Sequence, residues 1–376
     1  MSDVIVSPVI SRRQQRLFRD MQASLYQDDP LWCPPLYGVQ DELLGFTRVK
    51  HPFYNTADGQ AFLAMRDGRP VGRVLAIVNH AHNERYQEKR GFLGFFECVD
   101  DASVSESLLA SASDWLRGQG MTDVRGPTNP SLNYECGMLV DGFDTPPTFM
   151  ITHNPRYYER LWTEFGFEKT QDLYCYEVDV GMLETLDPKV KFVIDEATRR
   201  FKVTCRALDS KQFSTDVRTF LDIYNQSLQG TWGYVPMSNE EMQQMAKGLK
   251  YLIVPQMTSI AEIDGKPIGA GFGLLDFNPL IRKMRGRLFP FGWWYLLTQK
   301  KRLNRVRLIS TNVLMEYQRW GLGLVTLARI LPDALDWGIQ EGELSWVLES
   351  NSLSRKTIER GGGKKFKTHR LFDKTL

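Results

Sequence analysis

The sequence predicts an α/β (α+β) chain in which one mixed, mostly antiparallel sheet flanked by helices is built twice. Three observations carry that expectation. Each half runs through the same order of elements: a hairpin, a third strand, a helix, a short strand, a second helix and a final strand. Both hairpins turn through Asp-Gly, at Asp67-Gly68 and Asp264-Gly265, and that dipeptide readily takes the left-handed backbone of a two-residue loop. The chain has 376 residues, 42% of them hydrophobic and 24% charged, which suits two domains that each bury a core.

In the first half, residues 62–65 and 70–79 read as the hairpin and residues 91–99 as the third strand. Residues 104–118 form an amphipathic helix, with Leu108, Leu109, Ala112, Trp115 and Leu116 on one side. A short strand at 124–126 follows. The next helix, 157–165, stops at Gly166, and residues 172–180 form the last strand. In the second half, residues 216–228 and 239–249 are helices ahead of a hairpin at 258–263 and 267–276. Then come a strand (306–314), a helix (324–340), a strand (344–348), a helix (353–360) stopped by Gly361-Gly362-Gly363, and a terminal strand (365–372). Asp187-Pro188 interrupts the pattern, so the junction is expected at 181–190, between domains 1–183 and 190–376.

The stretch Gln318-Arg319-Trp320-Gly321-Leu322-Gly323 lies between a strand and a helix start. Glycines one residue apart let backbone N–H groups crowd toward one point, and the helix dipole adds partial positive charge. Arg319 adds a full charge. A phosphate or pyrophosphate suits this geometry, and a plain strand-to-helix turn accounts for the glycines equally well.

Gln-x-x-Gly-x-Gly after a strand, followed by a strand, Asn351, a helix, glycine and a terminal strand, resembles the GNAT superfamily of acyl-CoA N-acyltransferases. The resemblance is close over 305–376 and rests on element order upstream. It implies two tandem GNAT-like domains of bacterial type, the second intact. It also implies that Gln318, Arg319, Gly321, Leu322 and Gly323 hold the CoA pyrophosphate, that pantetheine lies in a splay between two strands, and that Asn351 fixes its end. In the first half, Glu97-Cys98-Val99-Asp100-Asp101 replaces the glycine loop; its carboxylates repel a pyrophosphate, so this half resembles a degenerate copy. The turn-rich stretch 126–137 reads either as structural punctuation or as a wall of a substrate cleft.

Amine acylation by a thioester needs a polarised carbonyl, a neutral attacking nitrogen and a proton for the leaving thiolate. The resemblance assigns the first to backbone N–H groups of Val313, Leu314 and Met315 at the strand end. The family's acidic Tyr stands on the helix after the Asn, but that position here is Ile358, a departure. Ser354 on the same helix is the substitute candidate, set against an ordinary helix serine. The strand 307–312 also lacks the carboxylate some members place there. Glu349 is the candidate base: two residues before Asn351, it faces the same way and can act directly or through water, unless it caps the helix or pairs with an Arg. His369 is a further candidate. Trp232 and Tyr234, in the Gly- and Pro-bounded stretch 229–236, either line an apolar acceptor channel or pack against the sheet.

Composition narrows the class. The five cysteines are scattered and lack C-x-x-C spacing, which predicts reduced thiols in a cytoplasm, no zinc site and no metal. The first thirteen residues lack a secretory pattern. Between Asp276 and Glu316 there are nine Lys and Arg and no acidic residue, without a nucleic-acid motif beside them, so no nucleic-acid partner is expected. Inside this run, residues 288–297 (LFPFGWWYLL) read either as an interfacial membrane-surface segment, which would place the protein at the inner membrane face, or as a buried hairpin-like insert. The resulting expectation is an N-acyltransferase that uses acetyl-CoA or a longer acyl-CoA and acylates a small-molecule or lipid-like amine. The alternatives are an acyl-CoA-binding module without turnover and a peripheral membrane adaptor.

Overall fold

A computed structural model describes residues 3–181 and 187–376. The junction expected at 181–190 therefore lies partly outside the described residues. In chain order the strands are β1 (Ile5–Pro8), β2 (Ala57–Arg66), β3 (Arg69–Asn79), β4 (Arg90–Cys98), β5 (Asp123–Gly126), β6 (Thr128–Asn129), β7 (Glu135–Cys136) and β8 (Met138–Asp141). They continue with β9 (Glu168–Asp179), β10 (Thr204–Arg206), β11 (Thr258–Ile263), β12 (Lys266–Leu275), β13 (Arg305–Val313), β14 (Glu341–Leu348) and β15 (Lys364–Thr375). The helices are α1 (Arg12–Leu25), α2 (Tyr37–Leu43), α3 (His80–Tyr86), α4 (Ala102–Gly118), α5 (Tyr158–Glu164) and α6 (Pro188–Phe201). After them come α7 (Phe213–Ser227), α8 (Asn239–Leu249), α9 (Asn278–Lys283), α10 (Gly292–Thr298), α11 (Leu322–Trp337) and α12 (Ser352–Arg360).

These elements form two compact units that are not contiguous in sequence. The first takes the chain up to Leu173 together with Ile281–Gly292 and Lys367–Leu376; the second takes Tyr174–Leu280 and Trp293–Phe366. In the first unit, β1-β2-β3-β4 pair antiparallel, β4 pairs parallel with β5, and the last residues of β15 pair antiparallel with β5. Helix α4 seats Val104, Leu108, Leu109, Ala112 and Leu116 against Val74, Ala76 and Leu93. On the other face Phe18 of α1 packs with Leu63, Leu75 and Ile77, as the period-2 alternation of a two-faced sheet requires.

The second unit repeats the pattern. β10-β11-β12-β13 pair antiparallel, and β13 pairs parallel with β14. Helix α11 supplies Leu322 and Val325 to a core with Ala197, Ala261, Ile268 and Val313. In both units the parallel pair just given is joined through a helix, α4 or α11, as a parallel connection requires. Both Asp-Gly turns have left-handed backbone, with φ of 50° and 72° at Asp67 and Gly68 and of 49° and 74° at Asp264 and Gly265. The expected duplicated mixed sheet is therefore what the chain builds. Residues 288–297 depart from the hairpin-like reading: they run into the helix α10, and α9 precedes them.

His82 on α3 shows what burial does to a titratable group in the first unit. Its ring centroid lies 4.7 Å from that of Tyr86 and 4.9 Å from that of Phe92, and Glu88 Oε2 is 3.4 Å from Nε2. Desolvation outweighs that carboxylate and pushes the imidazole down to about 4. The unfolded chain takes up this proton near the usual ~6.5, so it binds more protons than the folded chain between the two values. Stability accordingly falls as pH drops through this window, by roughly 2 kcal/mol from pH 7 to 4.5. Denaturant unfolding of the wild type and His82→Gln at both pH values checks this. The variant should lose about that much less on acidification; equal losses would acquit His82.

Candidate active site

The second unit opens where its parallel ladder ends. β13 and β14 pair from Arg305↔Glu341 to Leu308↔Leu344. The next residue, Ile309, is a bulge: β12 pairs Gly273 with Leu308 and then Phe272 with Ser310. A bulge bends its strand and ends local pairing. From Ser310 to Val313, β13 stays with β12, while β14 runs on to Leu348 with no further β13 partner among the described residues. This is the splay expected from the resemblance.

A buried charged group lies beside the last paired residues. Arg307 is 3% exposed and Glu343 fully buried. Arg307 Nε donates to Ser345 Oγ at 2.8 Å, and Ser345 Oγ donates to Glu343 Oε1 at 2.8 Å. Arg305 Nη2 approaches Glu343 Oε2 at 3.4 Å. Opposite charges linked by hydrogen bonds offset the cost of burying each, so Arg307 is a core residue within the basic run.

The loop after β13 is a 3-10 turn, Met315–Trp320, that ends on Gly321. Gly321 takes left-handed backbone at φ 77° and is the N-cap of α11, without a side-chain cap. A Cβ on it would lie 2.5 Å from Val193 Cγ1 of α6, whereas a Cβ on Gly323 would find, among the described residues, only Val313 Cγ2, at 4.0 Å. The helix start thus has open space over Gly323 and no capping side chain, and its first N–H groups lack intrahelical partners. Arg319 is exposed. Arg200 of α6, which sequence reasoning missed, lies 4.3 Å above the Trp320 ring and adds a second cation beside the loop. Gln318 is engaged elsewhere: its amide donates to Ser227 O at 3.0 Å and Val313 O at 3.1 Å, tying the turn to the end of α7. The N–H of Leu314 donates to Ile268 O at 2.9 Å, and Met315 is exposed.

The first unit treats the equivalent helix start differently. Asp101 caps α4, accepting from Ser103 N at 2.9 Å and from Arg66 Nη1 at 2.8 Å. The Ser103 and Arg66 hydrogen bonds hold its carboxyl down to about 2, so a fixed negative charge occupies the positive end of the helix. Its ladder also ends early, at Phe92↔Arg125, and β4 bulges at Phe95 and Phe96. There the inserted β6–β7 hairpin fills in, with Asn129 Oδ1 accepting from Phe95 N at 2.6 Å.

At the carboxyl end of β14, Glu349 is half-buried and accepts from the hydroxyl of Tyr174 at 3.3 Å. Tyr174 sits on β9, and its ring centroid lies 4.7 Å from Lys365 Nζ and 5.7 Å from the Arg355 guanidinium carbon. Sequence reasoning missed this tyrosine, since nothing local ties it to Glu349. Asn351 serves as N-cap of α12, accepting from Ser354 N at 3.1 Å. Two turns on, Glu359 accepts from Tyr176 at 2.9 Å; burial, reinforced by that bond, pushes the Tyr176 phenol up to about 12. Tyr234 is buried, donating to Asn225 Oδ1 at 2.5 Å with its ring 5.8 Å from Tyr224, so ring and hydroxyl are engaged where the loop meets α7. Trp232 is half-buried. His369 belongs to the first unit, fully buried, with Nε2 3.1 Å from Thr152 O.

No protein-family model matches the chain. It is 32% identical to Protein YghO of Escherichia coli over 378 residues, spanning 99% of this chain and 95% of that protein. It is 33% identical to the bacterial ceramide synthase of Caulobacter vibrioides over 388 residues, spanning 100% of this chain and 98% of that one. A solved tandem GNAT protein from the clavulanic acid biosynthesis pathway superposes with a TM-score of 0.57 at 10% identity, over 99% of this chain and 98% of its own. That likeness speaks to the fold.

Proposed function

The chain belongs to the tandem-domain GNAT superfamily, in one family with YghO and the bacterial ceramide synthase, and from that premise we propose that its second unit transfers an acyl group from acyl-CoA to a long-chain, lipid-like amine. The observation that carries the reading is the contrast between the two helix starts. α11 begins on Gly321 without a side-chain cap and beside Arg319, while α4 is closed by the Asp101 carboxylate. A pyrophosphate fits the first and is repelled by the second. The relative's name supports the acceptor class, because a ceramide is an N-acylated long-chain amino alcohol.

In this reading, Arg319 and the N–H groups at Gly321, Leu322 and Gly323 take the pyrophosphate, with Arg200 adding charge. The pantetheine enters the opening beyond Leu308, near Asn351. The neutral amine attacks the thioester carbonyl, with backbone N–H groups at Val313 and Met315 toward the developing oxyanion. Glu349 accepts the proton released from nitrogen as the C–S bond breaks, and Tyr174 donates its proton to the departing thiolate. The hydrogen bond between the pair then returns the proton from Glu349 to the phenolate. The net change is one proton moved from nitrogen to sulfur. Lys365 and Arg355 favour the transient phenolate, and Tyr174 takes the task that Ile358 cannot perform. Ser354 would orient the sulfur through water.

Free-thiol release from palmitoyl-CoA and from acetyl-CoA, with and without a long-chain amino alcohol, tests this. Amine-dependent release that is faster with palmitoyl-CoA is the expected result. Acyl-CoA binding without amine-dependent release would instead make the chain a binding module.

A further inference from the structure

We propose that helix α10 docks the protein on an anionic lipid surface, with Trp293, Trp294, Tyr295 and Leu297 entering the head-group boundary. These four side chains are 42%, 57%, 40% and 43% exposed, whereas Leu296 alone of the apolar side chains of this helix turns inward, at 6%. Phe291 and Phe289, at 74% and 79%, precede Trp293 by two and four residues, so chain connectivity keeps them within ~15 Å of the helix. Apolar exposure on this scale marks an interaction site, and Trp and Tyr are the side chains that favour a membrane interface.

Charge selects the occupant. Lys301 and Arg302 follow α10 within the same unit and are exposed. Lys301 Nζ also lies 3.6 Å from the Trp337 ring centroid. No acidic residue stands between Asp276 and Glu316. Lys300, which donates to Tyr251 O, holds a further exposed ring nearby: Tyr251 is 62% exposed. Aromatic side chains flanked by cations, with no acidic residue among them, match an anionic bilayer. No helix of the described residues is long and apolar enough to cross a membrane, so the contact is with the surface. The inference stands apart from the acyl-transfer reading; together they place the enzyme where a long-chain amine resides.

Co-sedimentation of the full chain with phosphatidylcholine vesicles, with and without phosphatidylglycerol, tests the proposal. The expected result is binding to the anionic vesicles, at least tenfold weaker for Trp293→Ser/Trp294→Ser. Lys301→Ser and Arg302→Ser should each weaken it roughly fivefold, and added salt should reduce it. Thermal midpoints of the tryptophan and Arg302 variants, close to wild type because these side chains are largely exposed, show that the fold is intact; Lys301→Ser, which also loses its contact with the Trp337 ring, is read against its own midpoint. Absence of binding to anionic vesicles overturns the proposal, as does binding indifferent to the tryptophan pair. A dimer that the tryptophan changes convert to monomer, without vesicle binding, would give the surface to a second copy and equally overturn it.

Discussion

Glu349→Gln should lower kcat for amine acylation by about 10²–10⁴-fold, the range of a positioned general base, while leaving the thermal stabilisation by acyl-CoA in place. Gln keeps the shape of the side chain and still accepts from Tyr174, but cannot take a proton. Tyr174→Phe should lower kcat by a similar order, because it removes the proton destined for the thiolate. If the two act through their shared hydrogen bond, the double variant falls little further than either single one. A purely structural role would not change the pH dependence. A base role does: raising the pH supplies hydroxide to take the proton that Glu349 accepts from the attacking nitrogen, which narrows the gap between wild type and Glu349→Gln. Single variants within threefold of wild type would sink the assignment.

Gly323→Leu should abolish the rise in thermal midpoint produced by acyl-CoA, yet leave the ligand-free midpoint close to wild type. A Cβ there meets nothing among the described residues nearer than Val313 Cγ2 at 4.0 Å, and replacing a glycine inside a helix is favourable by up to ~1 kcal/mol. What it obstructs is the space over the uncapped N–H groups. Binding raises stability by RT ln(1 + [L]/Kd), so the lost rise reads out affinity without needing turnover. Gly321 behaves differently. At φ 77°, with Val193 Cγ1 2.5 Å from a would-be Cβ, Gly321→Ala is itself destabilising, by roughly 1–3 kcal/mol, and cannot separate fold from site. An unchanged acyl-CoA response in Gly323→Leu would mean that the pyrophosphate does not lie there.

Much of the fold is legible residue by residue. The Asp-Gly turns, the helix α4 with its Leu108, Leu109 and Leu116 stripe, and the strand–glycine loop–helix run into α11 all follow from local rules. Helix α6 carries its own start signal where the sequence pattern suggests a junction: Asp187 caps it by accepting from Lys189 N at 2.7 Å, and Pro188 takes its first turn. Of the two readings of the insert, the buried hairpin-like one is the one that departs from the structure. An aromatic run after Pro290 is compatible by composition with a strand or a helix, and local rules do not say that it forms a short helix with exposed rings.

Site residues divide the same way. The motif around Gln318 points to the loop, but a motif cannot tell that this amide binds the carbonyls of Ser227 and Val313 rather than a ligand. Arg307 looks in sequence like one more member of a basic run, and it is buried on Ser345 beside Glu343. Tyr174 and Glu349 stand 175 residues apart, so no spacing rule pairs them.

The sequence by itself determined the repeated hairpins, the helix faces, the glycine-started α11 and the acid-capped α4, because backbone preference, periodicity and capping act within a few residues. Only the tertiary structure decided that Lys367–Leu376 completes the first unit, that β13 leaves β14 after Leu308, and that Tyr174 meets Glu349. Those outcomes depend on which distant strands pair and which side chains lose water, and they exist only once the chain has folded.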